Sequence, residues 1–171
     1  MKLDFIKELY FHELDTKDQH DGRPAFQVAI LSVLAGLLFF GYQHLHPAGC
    51  VPTTVSVVLF LTAALCYAEG LRQVLLATLD LGHFYERLPA PDVMYDYYRK
   101  LQIYYDKSPD VPGNADDEFS EFLARHMVLA TAHNTQNNLR RAARHYSAMR
   151  AFALTVVFAI AALVIVSLTN V

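Results

Sequence analysis

The residue types best able to do chemistry in this chain gather between positions 126 and 144: His126, His133, Asn134, Asn137, Asn138, Arg141 and Arg144. Steps of three, four and seven put His126, His133, Asn137, Arg141 and Arg144 near one face of a helix, with Asn134 and Asn138 beside them. Amides and guanidinium groups stacked in this way suit two jobs. They hydrogen-bond between facing helices and so set register in an oligomer, or they bind a polyanion such as a nucleotide or oligonucleotide. Spacing alone does not separate the two. Arg140 and Arg150 have a simpler use, holding the inner edge of a membrane against anionic lipid.

Three other groupings carry weaker signals. Glu69 and Arg72 stand three apart, which pairs them on a helix. Deep in a bilayer such a pair is a functional candidate; at the inner interface it is an ordinary solvated ion pair, the reading favoured here. His44, His46 and Cys50 have the donor types of a zinc or copper site. No carboxylate or fourth ligand stands nearby, so no metal is expected, and Cys66 lies too far along the chain in depth to pair with Cys50. Tyr95, Tyr97, Tyr98, Tyr104 and Tyr105 are suited to stacking on bases, yet along one helical segment they cannot share a face, so packing or a subunit contact is the expected use. Phosphate loops, nucleophile elbows and the HExxH and CxxC pairs are absent. Asp116, Asp117, Glu118 and Glu121 read as a charged helix start. Neither an enzyme nor a cofactor is expected.

The elements that position these groups follow from where charge is placed. The 171 residues include 14 Lys/Arg and 17 Asp/Glu, and none of them falls in 24–68 or after 150. Uncharged apolar stretches occupy 25–42, 55–68 and 151–166. A bilayer core about 30 Å thick takes roughly 20 helical residues to cross; 25–42 and 151–169 meet that length, and 53–70 completes the second stretch. Lys and Arg stay on the cytoplasmic side. The pattern predicts an all-α integral membrane protein with three transmembrane helices and helical cytoplasmic extensions. Its N-terminus is inside, 43–54 outside, 69–150 inside and the C-terminus outside. A cleaved signal is not expected, because acids outnumber bases ahead of the first span.

The expected organisation is an N-terminal amphipathic cytoplasmic helix over 1–24, a transmembrane hairpin over 25–70, a helical stalk region over 71–150 and a third transmembrane helix over 151–171. Leu3, Ile6, Leu9, Tyr10 and Leu14 recur at helical spacing, and Asp21-Gly22-Arg23-Pro24 punctuates the chain before the first span. The second helix is expected to leave the bilayer as a stalk that Pro89 and Pro91 stop. A tyrosine-rich helix covers 92–107, and 107–117 is a loop. From Asp116 onward there is no Pro or Gly, which predicts one helix of some fifty residues, about 80 Å long. Small residues at Ala64, Ala68, Ala159, Ala161 and Ala162 let helices approach closely.

The run FIKELYFHEL at 5–14, leading into a tight two-span hairpin with helical extensions, resembles small bacterial membrane effectors of anti-phage defence, of the SLATT type or associated with retrons. The third span departs from the two usual in the SLATT type. The resemblance implies a homo-oligomer in the bacterial inner (plasma) membrane that depolarises or permeabilises it on a cytoplasmic trigger, and carries over no residue role. The expected partners are the lipid bilayer, further copies of the chain, and a cytoplasmic nucleotide, oligonucleotide or protein. The alternative is a non-conducting scaffold that recruits a cytoplasmic partner through the stalk.

Overall fold

A computed structural model describes residues 3–44, 50–79 and 84–169. Every regular element among them is a helix: α1 (Leu3–His44), α2 (Cys50–Thr78), α3 (Pro91–Lys107) and α4 (Ala115–Thr169). Three of these, α1, α2 and α4, are long and apolar enough to cross a membrane. The chain forms two compact units, one from Met1–Asp18 and His83–Leu139, the other from Gln19–Gly82 and Arg140–Val171.

In the first unit, α3 begins as sequence chemistry dictates. Ala90 is extended, Pro91 occupies the first helical turn, and Asp92 sits where the helix dipole favours an acid. Asn114 caps α4: its Oδ1 accepts the Asp117 N–H at 2.7 Å, and its Nδ2 donates to Asp117 Oδ2 at 2.8 Å. Asp116, Asp117 and Glu118 fill the first turn. Ile6 and Tyr10 of α1 pack on Met127 and Ala130 of α4, with Leu88 from the non-helical segment 84–90 against the same cluster.

In the second unit, Leu31 and Leu34 of α1, Val74 of α2, and Ala148 and Phe152 of α4 form the core. Close approach is set by small side chains seven apart on α2: Ser56, Ala63, Gly70 and Ala77 are all buried. Of the small residues singled out in the sequence, Ala159 and Ala162 are buried within the chain, Ala64 and Ala161 are half-buried and Ala68 is exposed. Phe152 fills the space that the missing side chain of Gly70 leaves.

Two sequence expectations differ from the structure at their boundaries. The Asp21–Pro24 punctuation does not divide α1, which runs through it with Pro24 inside the helix. Proline removes one ladder N–H there, but Asp21 and Gln27 on either side are hydrogen-bonded to Arg141 and His145 of α4, which holds both turns in place. The second helix ends at Thr78, ahead of Pro89 and Pro91. Residues 84–90 form neither helix nor strand, and α4 supplies their backbone with side-chain partners.

Candidate functional site

A segment without helix or sheet needs other partners for its backbone groups. In the first unit His133, Asn134, Asn137 and Asn138 provide them. Asn134 is fully buried and pairs with the Glu86 backbone twice: Oδ1 accepts the N–H and Nδ2 donates to the C=O, each at 3.0 Å. Asn137 Nδ2 and His133 Nε2 both donate to the Phe84 carbonyl, at 3.1 and 2.9 Å. Asn138 Nδ2 donates to the Glu13 carbonyl at 3.0 Å and to Glu13 Oε2 at 2.7 Å, and its Oδ1 accepts the Tyr85 hydroxyl at 2.7 Å. Tyr10 accepts the Leu88 N–H, and Lys17 lies over the Tyr85 ring. The asparagine run is therefore a clamp that fastens a non-helical strap and the first helix to α4.

His126 is separate from this clamp. Its Nδ1 donates to the Phe122 carbonyl at 3.0 Å, and its ring packs on Phe122. Both residues line a cleft of about 630 Å³ with Tyr97, Tyr105, Asp117 and Glu121. Tyr98 and Tyr105, seven apart on α3, donate to Asp116 and Glu118 at 2.6 and 2.9 Å. Those carboxylates raise both phenol pKa values, because a hydroxyl donated to an anion resists ionisation. Tyr97 packs on Phe119 and Phe122, while Tyr95 and Tyr104 are exposed, so the tyrosines divide between two faces.

The arginines belong to the second unit, and their targets are carbonyls. Arg141 Nε donates to Ala77 O at 3.0 Å and Arg144 Nη1 to Leu76 O at 2.6 Å. Those oxygens stand in the last turn of α2, where the helix has no internal donor left and no basic side chain of its own. Two guanidinium groups from α4 thus cap α2 and complement its dipole. Arg141 also donates to Asp21 Oδ1 at 2.6 Å.

One turn on lies a pair that sequence reasoning missed. His145 and His20 are both buried and stack with ring centroids 5.6 Å apart. His145 Nδ1 lies 2.9 Å from Gln27 Oε1, an acceptor, so Nδ1 carries the proton and Nε2 bears a lone pair without a partner. Burial, then the neighbouring cations, hold the His145 pKa at about 4; burial followed by Arg23 and Arg141 lowers that of His20. Both imidazoles are neutral at neutral pH. The signal for them was spacing. From Asn134 to Val166 a series of buried positions on α4, 134, 138, 141, 145, 148, 152, 155, 159, 162 and 166, advances by four and three, with Asn137 and Ala151 buried beside it. That spacing is a heptad-like seam, and His145 sits on it whereas His126, His133 and Arg144 do not.

Glu69 and Arg72 form a two-pronged ion pair, both bonds 2.8 Å, with Gln73 joining at 2.6 Å. Both side chains are about half exposed. The trio His44, His46 and Cys50 lies outside the residues whose side chains are described. Among the described residues no cluster of three His, Cys, Asp or Glu side chains is placed to hold a metal ion. Compared with known proteins, the chain matches no family model, no curated protein and no solved structure.

Proposed function

We propose that the protein is a multi-pass effector of the bacterial inner membrane, N-terminus inside and C-terminus outside, that self-associates and makes the bilayer leaky in response to a cytoplasmic cue. One observation carries this reading. The seam of α4 is polar from Asn134 to His145 and, Thr155 apart, apolar from Ala148 to Val166, on a single 55-residue helix. Polar groups at seam positions specify one packing and are the natural place for a second arrangement to compete with it. The outward faces of the apolar helices leave Val33, Phe39, Leu61, Leu65, Val157 and Val164 exposed, a belt suited to lipid or to further copies of the chain. Within one chain the described spans carry few buried polar groups, Gln27, Ser56 and Thr155 among them, so a conducting path needs several subunits.

The test is membrane potential in bacteria expressing the full chain, read with a voltage-sensitive dye. Depolarisation that disappears when 151–171 is replaced by an unrelated span supports the reading. A sustained normal potential, with the protein in the membrane and with its neighbouring genes supplied, refutes it. The second reading, a non-conducting scaffold, draws on Val93, Tyr95, Ile103 and Tyr104, which leave α3 with exposed apolar and aromatic surface.

A further inference from the structure

We propose that the cleft bounded by Arg23, Phe26, Gln27, His145, Tyr146 and Met149 binds the headgroup and first acyl carbons of an anionic phospholipid. The cleft has a volume of about 420 Å³, with its walls spaced three, four and seven apart on α1 and α4. Its polar end has an uncommitted cation. Arg23 has no hydrogen-bond or ion-pair partner among the described residues, whereas Arg72, Arg141 and Arg144 are all engaged. Among its lining residues is His145, 4% exposed, whose Nε2 has no hydrogen-bond partner among the described residues. A buried polar atom without a partner is rare in folded proteins and calls for an explanation.

The remaining walls favour a lipid over a free anion. Phe26 and Met149 are large, apolar and exposed, and Tyr146 adds an exposed amphipathic ring, a wall that suits acyl carbons below a headgroup better than a hydrated phosphate alone. Arg23 immediately precedes the uncharged stretch that starts at position 24, and Tyr146 and Met149 lie within five positions of the one that starts at 151. Aromatic and basic side chains at that depth meet headgroups. The inference rests on the membrane-spanning part of the proposed function and not on leakage.

Burial first, then His20, Arg23 and Arg141, keeps a proton off His145, so Nε2 presents a lone pair, suited to accept from a headgroup hydroxyl, and Arg23 is the cation for the phosphate diester.

The experiment uses the full-length protein in neutral detergent, with native mass spectrometry of bound phosphatidylglycerol and phosphatidylcholine of identical acyl chains. Arg23→Gln and Arg72→Gln remove the same charge at exposed positions, and helical melting confirms that both variants fold. The wild type and Arg72→Gln should retain phosphatidylglycerol about tenfold more strongly than phosphatidylcholine, and Arg23→Gln should lose that preference. Phe26→Ser should weaken both lipids. Equal retention of the two lipids by the wild type, or an unchanged preference in Arg23→Gln, overturns the proposal. Displacement of phosphatidylglycerol by millimolar inorganic phosphate also overturns it, reassigning the cleft to a free anion. Extraction of the protein from membranes by alkaline carbonate would instead defeat the membrane reading itself.

Discussion

Replacing Arg141 with Met separates a capping arginine from a ligand-binding one. Arg141 is 1% exposed, with its Nε on Ala77 O and its Nη2 on Asp21 Oδ1. Methionine keeps much of the apolar stem but leaves the Ala77 carbonyl buried without that donor, a loss of about 1–3 kcal/mol. Asp21 is 43% exposed and can turn to water, so its lost ion pair adds only about 1 kcal/mol. The sum of about 2–4 kcal/mol lowers Tm by roughly 5–15 °C in a chain of this size. The assay is the helical circular dichroism signal melted in neutral detergent for Arg141→Met, Asp21→Asn and the double variant. Asp21→Asn alone should cost about 1 kcal/mol. The double variant should melt within about 0.5 kcal/mol of Arg141→Met, since the pair can be lost only once. An Arg141→Met protein that melts with the wild type would refute the capping role and make the arginine available for a ligand.

Two further outcomes test the second unit. The folded chain favours neutral His145, with a pKa of about 4 against 6.5 for the free side chain. Stability is therefore full above pH 6.5 and falls as pH drops from there toward 4, by up to about 3 kcal/mol; His145→Gln should flatten that part of the profile, and an unchanged profile would place the acid sensitivity elsewhere. In an exposed helix Gly→Ala stabilises by about 1 kcal/mol, but a methyl on Gly70 overlaps the buried Phe152 ring, so Gly70→Ala should destabilise by about 1–3 kcal/mol, with partial recovery in Gly70→Ala/Phe152→Leu. A melting rise in the single variant would show that the α2–α4 contact is not tight there.

Much of the site was legible in part. Of the polar helical stripe His126, His133, Asn134, Asn137, Asn138, Arg141 and Arg144, the three asparagines and Arg141 are buried. What they contact was not legible, because a side-chain amide pairs equally well with another helix, a ligand or a strap of the same chain. The strap itself, 84–90, has apolar and aromatic residues that also suit a stalk helix; outside a helix its backbone finds partners in Asn134 and Asn137, 48 and 53 positions away. Punctuation at Asp21–Pro24 failed as a boundary for the same reason, since Arg141 and His145 lie far beyond any local window.

The sequence by itself determined that the chain is helical, that three helices are apolar enough to span a membrane, and that α4 runs unbroken. Those properties depend on hydropathy, on the missing Pro and Gly, and on charge placement, all of which act locally. Only the tertiary structure decided that Arg141 and Arg144 cap α2, that His20 and His145 stack, and that Arg23 stands beside a cleft without a hydrogen-bond or ion-pair partner among the described residues. Each of these depends on which distant carbonyl, ring or carboxylate comes within hydrogen-bonding reach, and that distance is set by packing at Gly70, Ala77 and Ala148.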